Sequence, residues 1–341
     1  MNGYERIRAG IEGRQADCTP VMLHNFMMAA HEAGYSMAEF RNDPRKIAES
    51  FIRAIETYDY DGILVDIDTV TLAGAVGVPI DFPVDSPARS MVGCLTSLDD
   101  LEKLPQVDIR KYKYVQIWLE AVSLLKSHFK NEIYIRGNCD QAPFSLASMM
   151  RTPQEWYMDI FLNKQKAFKL LDYCTEATCQ FIELMSGTGA DMLSNGDSPA
   201  GPEIISPEMY KKFALPYEKR VVEKAHKCGL PYALHICGNT DPILKLMLES
   251  GADALELDQR TDACLAHELL QGKTTFIGNV DPSAVLTYGS VGDVKQKAEE
   301  IITIFGNTPR FILNAGCAIP PTAPSENIHT LIKTAHQNTA N

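Results

Sequence analysis

Eight short apolar or β-branched runs punctuate the chain, at residues 21–24, 62–66, 133–137, 191–194, 232–236, 254–258, 275–280 and 311–314, and most end in a small or polar residue. Between most of them lie stretches with apolar positions at helical spacing, over 44–58, 115–130, 153–187, 207–228, 242–250, 265–270, 291–305 and 325–337. Several of these stretches open with Asp, Ser or Thr just before Pro, as in Asp43-Pro44, Thr152-Pro153 and Ser206-Pro207. Such a residue caps the free amides of a first turn, while the proline presets its φ. Strands alternating with helices predict parallel βα units, and eight units predict an α/β fold of the (β/α)8 TIM-barrel type. No repeat, low-complexity tract or linker divides the chain, so 1–341 reads as a single domain. Its longest irregular stretch, 69–114 between strands two and three, is rich in Pro, Asp and Gly and is expected to act as a lid or pocket wall.

That architecture gives the strand ends their meaning, because barrel enzymes place their chemistry at the C-terminal rim. His235 and Cys237 finish the fifth predicted strand, and Cys317 follows the eighth. Residues i and i+2 share a strand face, so His235 and Cys237 can point at one centre, which barrel closure would complete with Cys317. One imidazole and two thiolates form a zinc ligand set with one coordination position open, the arrangement of a catalytic site. His-x-Cys alone would equally suit a core histidine and a buried thiol; spacing and strand-end placement favour the metal. By the same parity Glu256 and Asp258 on strand six face the lumen. Buried carboxylates there need hydrogen bonds, a partner or a cation. Asp258, nearer the rim, is expected as a fourth ligand or as a partner of His235.

Composition narrows the class. Across 341 residues, 45% are hydrophobic and 22% charged, as in soluble globular proteins, and the net charge of −12 argues against nonspecific nucleic-acid binding and anionic membrane surfaces. The polar N-terminus resembles no secretory signal, no run is long enough for a membrane span, and nine scattered cysteines suit reduced thiols. A cytoplasmic protein is expected.

Several segments resemble the uroporphyrinogen decarboxylase superfamily and, within it, its zinc-dependent methylcobamide:coenzyme M methyltransferase branch. They are Asn195-Gly-Asp-Ser-Pro, Ile205-Ser-Pro-Glu-Met-Tyr, Leu234-His-Ile-Cys-Gly-Asn-Thr-Asp-Pro242, Gly278-Asn-Val-Asp-Pro282 and Gly316-Cys-Ala-Ile-Pro-Pro, in the family order. The resemblance implies zinc held by His235, Cys237 and Cys317, a thiol such as coenzyme M activated on the metal, and methyl exchange with a methyl-corrinoid. Transfer from another methyl donor to the corrinoid is the alternative direction. The chain contains no Asp-x-His-x-x-Gly corrinoid motif, so a partner corrinoid protein is expected to supply that cofactor. A homodimer is compatible with the family.

The decarboxylases of that superfamily carry an arginine segment near the N-terminus, where this chain has His24-Asn-Phe-Met-Met-Ala-Ala-His-Glu-Ala-Gly-Tyr35, and a histidine at the place of Cys317. Both departures disfavour a porphyrinogen lyase. A non-catalytic corrinoid- or metal-binding role is the other rival. Asp66 and Asp68 lie near a decarboxylase aspartate, with their task here open. His24, Asn138, Asp140, Asn195, Asp197, Asn279 and Asp281 fall at strand ends, where turn and capping duties compete with substrate contact.

Overall fold

The computed structural model describes residues 1–306 and 308–338. Eight parallel strands form one sheet: β1 Met22–Leu23, β2 Gly62–Val65, β3 Tyr134–Gln141, β4 Met192–Gly196, β5 Tyr232–Ile236, β6 Ala254–Leu257, β7 Thr275–Val280 and β8 Phe311–Ala315. Neighbours in sequence are neighbours in space. A parallel bridge between Val21 and Leu313 joins the first strand to the last, with the Leu313 N–H donating to the Pro20 carbonyl at 2.8 Å. The expected (β/α)8 barrel is therefore present.

Period-two alternation sorts the strand residues. Leu23, Ile63, Ile135, Leu234, Leu255 and Leu313 belong to the large core shared with the outer helices. Met22, Tyr134, Met192, Ala233, Ala254 and Ile312 form a second cluster inside the barrel floor, completed by Ile7 and Ile11. Those two isoleucines come from a helix the apolar pattern did not single out, Gly3–Glu12, whose Asn2 cap and Glu5 form a reciprocal capping box. Burying each contributes about 1.5–3 kcal/mol, so this helix serves as a plug. Gly62 permits the close approach: a Cβ there would sit 3.0 Å from Met22 Cε and 3.2 Å from Ile7 Cγ1.

Two residues further along most strands the inward positions turn polar: His24, Arg136, Ser194, His235, Glu256, Asn279 and Asn314. A sealed apolar floor beneath a polar layer places the chemistry toward the C-terminal rim.

Expected helices differ where a cap or proline intervenes. The stretch 153–187 is two helices, Pro153–Leu162 and Lys164–Ser186, and 207–228 divides into Pro207–Phe213 and Leu215–Lys227 because Pro216 cannot donate to the turn before it. β3 runs on to Gln141, β6 stops at Leu257, and Pro143–Arg151, Phe26–Glu32 and Met37–Asn42 are additional helices. The insertion after β2 holds a short helix, Thr71–Ala75, an antiparallel pair, Ile80–Asp81 with Arg89–Ser90, and a 3-10 helix, Leu98–Lys103. Among the described residues no helix is long and apolar enough to cross a membrane.

Candidate metal centre

His235 is the penultimate residue of β5, Cys237 follows that strand by one residue, and Cys317 follows β8 by two. Barrel closure brings them together. His235 Nε2 lies 3.0 Å from Cys237 Sγ, and the two sulfurs are 3.8 Å apart. All three ligand atoms fall within 4.8 Å of one another, and among the described residues this is the one group of its kind. A tetrahedral ion with Zn–S near 2.3 Å and Zn–N near 2.0–2.1 Å needs about 3.8 Å between sulfurs and about 3.6 Å between nitrogen and sulfur. The sulfur spacing already matches, and the imidazole would move outward by about half an ångström. The donor set and its spacing therefore fit zinc.

Backbone contacts orient the ligands. His235 Nδ1 donates to the Glu256 carbonyl at 3.1 Å, which leaves Nε2 with a free lone pair facing the sulfurs. The Cys237 N–H donates to Ser198 Oγ at 3.2 Å, and the Asp197 N–H to the His235 carbonyl at 2.8 Å, so the loop after β4 fixes the end of β5. At Gly316 a Cβ would collide with the Gln259 amide and lie 2.6 Å from Gln259 Oε1, which holds the Cys317 loop against the end of β6.

The two thiols are hydrogen-bonded to each other, and the bond acts on them in opposite senses. A hydrogen bond from Cys317 lowers the Cys237 pKa against the opposing effect of burial, while the same bond and burial push Cys317 up to about 12. For His235, burial favours the neutral ring, but the bond to Cys317 and the Glu256 charge outweigh it and raise the pKa to about 9. A cation bound there would displace the protons of the ring and the thiols.

Beneath it lies a buried ion pair. Arg136 Nη2 donates to Glu256 Oε2 at 2.7 Å, and Asn314 Nδ2 donates to Oε1 at 2.8 Å. Burial alone would protonate Glu256; Arg136, His235 and His24 reverse this and hold its pKa at about 2. Beside the cluster opens a cavity of about 310 Å³, reached by His24, Asp66, Asp68, Asp140, Asn138 and Pro87 as well as by the three ligands. Pro87 belongs to the insertion, which therefore supplies part of the wall. His24 Nε2 and Asp66 Oδ2 are 2.7 Å apart, and Asn138 Nδ2 donates to Asp66 Oδ1 at 3.1 Å.

Other candidates serve the frame. Asp258 stands just beyond β6 and outside the ligand cluster: its Oδ1 accepts the Arg260 N–H at 2.9 Å, because the chain turns there instead of continuing as strand. The contact to His235 Nδ1 expected of Asp258 is made by the Glu256 carbonyl. Asp258 still raises the Cys237 pKa through its charge, as a lesser influence. Asn279 Nδ2 donates to the Asp258 and Thr261 carbonyls, both at 3.0 Å, and Asp281 caps the turn at Ser283 and Ala284. Asn195 accepts from the Tyr232 hydroxyl at 2.9 Å, and Asp197 from Ser145. Sequence patterning overlooked Arg136; a lone arginine two residues past an inward Tyr134 was the available signal.

Fold and site together define a barrel enzyme scaffold with a sulfur-rich metal cradle at its mouth. The chain matches the family model for uroporphyrinogen decarboxylase (URO-D) over residues 3–338, and it belongs to that family. The methylcobamide:CoM methyltransferase MtbA of Methanosarcina acetivorans is 30% identical to it over 281 residues, 78% of this chain and 80% of the relative. A uroporphyrinogen decarboxylase of Carboxydothermus hydrogenoformans is 25% identical over 330 residues, 89% and 86% of the two chains. A solved methyltransferase from Methanosarcina mazei shares the fold with a TM-score of 0.91 at 22% identity, covering 99% of each chain.

Proposed function

We propose that this protein is a zinc-dependent methyltransferase that exchanges a methyl group between a partner's corrinoid and a small molecule bound in the 310 Å³ cavity. The observation that carries this reading is the convergence of His235, Cys237 and Cys317 beside that cavity. Zinc bound there would deprotonate a substrate thiol, or polarise a methyl donor, at neutral pH. As thiolates on the ion, Cys237 and Cys317 would supply two negative charges, which would offset its two positive charges and leave an incoming sulfur electron-rich. His235 contributes a neutral donor oriented by the Glu256 carbonyl. Asp258 enters as a charged neighbour of Cys237, not as a reacting group. The ligands come from β5 and the segment after β8, which supports a single domain.

A coenzyme M acceptor is what the names of the methyltransferase relatives bring to this reading, and the corrinoid protein is the partner they bring. A porphyrinogen lyase is disfavoured by the cavity: it is small for a tetrapyrrole, and Arg136, its permanent cation, is already paired with Glu256.

The test is metal content and methyl transfer in the wild type and in Cys317→Ser. We expect one zinc per chain in the wild type, loss of cobalt-bound methyl from methylcobalamin in the presence of a thiol, and loss of both properties in the variant. Unchanged zinc and unchanged transfer in Cys317→Ser would refute the proposal.

A further inference from the structure

The exposed apolar side chains of this protein are gathered on one face. Eleven large ones stand in water among the described residues, and ten of them lie in strand-to-helix connections or at the first residue of the helix that follows. Four are in the insertion after β2, three follow β3, Ile204 follows β4, and Tyr288 and Val291 follow β7. In a parallel barrel such connections cross the C-terminal rim, the face that carries the chemistry. The remaining one, Met1, lies beside the floor helix. Apolar residues scattered singly over a surface need no explanation, but their confinement to one face marks a contact surface.

Six of the ten form an arc beside the metal ligands. Met91, Val92, Met158, Phe161, Leu162 and Ile204 are 53–73% exposed. Hydrogen bonds join their segments. The Leu95 N–H donates to the Met150 carbonyl at 2.9 Å, which seats the insertion on the helix Pro143–Arg151. The Tyr157 hydroxyl donates to the Pro199 carbonyl at 3.4 Å, which ties the helix Pro153–Leu162 to the loop after β4. That loop also carries Ser198, whose Oγ accepts the Cys237 N–H. Together the six side chains present on the order of 600 Å² of apolar surface, the upper end for a monomer's patches and most of the roughly 800 Å² one partner covers in a stable complex. Charges nearby are already matched, Asp81 by Arg89 at 3.0 Å, Glu203 by Arg260 at 2.9 Å and Asp99 by Lys166. Apolar contact, not charge attraction, would therefore hold a partner here.

The site limits what can cover this arc. A second copy of the chain seated there would lie across the barrel mouth and obstruct the metal's open position. The cavity, about 310 Å³, takes a small molecule and not a corrinoid macrocycle. The macrocycle must then arrive over the rim, carried by its own protein. Resting on the methyl-transfer reading above, we propose that Met91, Val92, Met158, Phe161, Leu162 and Ile204 form the docking surface for the corrinoid-carrying protein, which they seat with its cobalt over His235, Cys237 and Cys317. The two methionines, unbranched and polarizable, suit a surface that must adapt to a partner that comes and goes.

The test compares the zinc-loaded full chain with its Met158→Glu/Leu162→Glu variant. Both positions are exposed, and neither touches a ligand. Demethylation of free methylcobalamin in the presence of coenzyme M reports the metal site alone. Each chain, coupled to a resin, is then exposed to a soluble extract of the cells that make it, and retained cobalt and corrinoid absorbance are measured. We expect equal demethylation by both chains, a cobalt-bearing protein held by the wild type, and about tenfold or less of that cobalt on the variant, the loss expected when charges enter an apolar contact. Retention by the wild type should persist at about 0.5 M salt, where surface charge contacts are screened. Ile204→Glu, on a separate segment, should show the same loss and repeats the test independently of that helix. Equal cobalt on wild type and variants, or none on a wild type that demethylates free methylcobalamin, overturns the docking surface and leaves the methyl-transfer reading standing. A wild type that sediments as a dimer beside variants that sediment as monomers assigns the arc to a second copy and overturns it likewise. Failure of the wild type to demethylate methylcobalamin overturns that reading and this inference with it.

Discussion

Replacing Glu256 by glutamine tests how the floor of the site is held. Glu256 and Arg136 are each 1% exposed, and Arg136 makes one side-chain hydrogen bond, to Glu256. Glutamine keeps the shape but removes the charge, and its single carbonyl can accept from Arg136 or from Asn314, not both. The uncompensated guanidinium then remains in a low-dielectric interior. Breaking a buried pair from one side costs about 3–5 kcal/mol, because desolvation is no longer offset. Urea unfolding followed by far-UV circular dichroism, and by the fluorescence of the two buried tryptophans, Trp118 and Trp156, reads that loss. The Arg136→Met/Glu256→Leu double variant removes both charges and should recover at least half of it. The residual deficit reflects Asn314 Nδ2, which loses its acceptor. Zinc stoichiometry should stay unchanged in Glu256→Gln, since the three ligand atoms and the Glu256 carbonyl are untouched. A Glu256→Gln protein within about 1 kcal/mol of wild type, or a double variant as unstable as the single, would show that the pair is not what the buried geometry implies.

Other perturbations have equally definite outcomes. Gly316→Ala should displace the Cys317 loop from Gln259 and weaken zinc binding about tenfold or more, measured by chelator competition, while secondary structure is kept; unchanged affinity would mean the loop yields freely. Asp197 and Glu218 are buried and hydrogen-bonded through a shared proton, with the Asp197 pKa raised by burial to about 6 and that of Glu218 well above the usual carboxyl range. Folded pKa values above the unfolded ones mean that this stabilisation is full below about pH 4 and is lost as pH rises through 6 and beyond. Glu218→Gln should therefore gain about 1–3 kcal/mol over wild type at pH 8 and little at pH 4, read from melting temperatures across that range; a pH-independent difference would contradict the shared proton. Asp258→Asn should leave zinc stoichiometry intact, since its carboxylate caps Arg260 and stands outside the ligand cluster; loss of the ion on substitution would restore it to the coordination sphere.

Much of this protein was written locally. Eight short apolar or β-branched runs, separated by capped amphipathic stretches, determined the strands, their order and the ends at which chemistry would gather. His235 and Cys237 were legible because a strand places residues two apart on one face, and Cys317 because an eighth strand must return beside the first. Tertiary structure alone decided what each buried charge meets. Arg136 and Glu256 lie 120 positions apart, and Glu256 and Asn314 lie 58 apart, so no periodicity could pair them. What Asp258 meets turns on a single residue of strand length, for β6 ends at Leu257 and the next carboxylate accepts the Arg260 backbone amide. The Gly3–Glu12 plug and the insertion's Pro87 wall likewise depend on closure of the barrel. Strand patterning is encoded by near neighbours; the pairing of charges inside a closed sheet depends on distances that exist only once the ends have met.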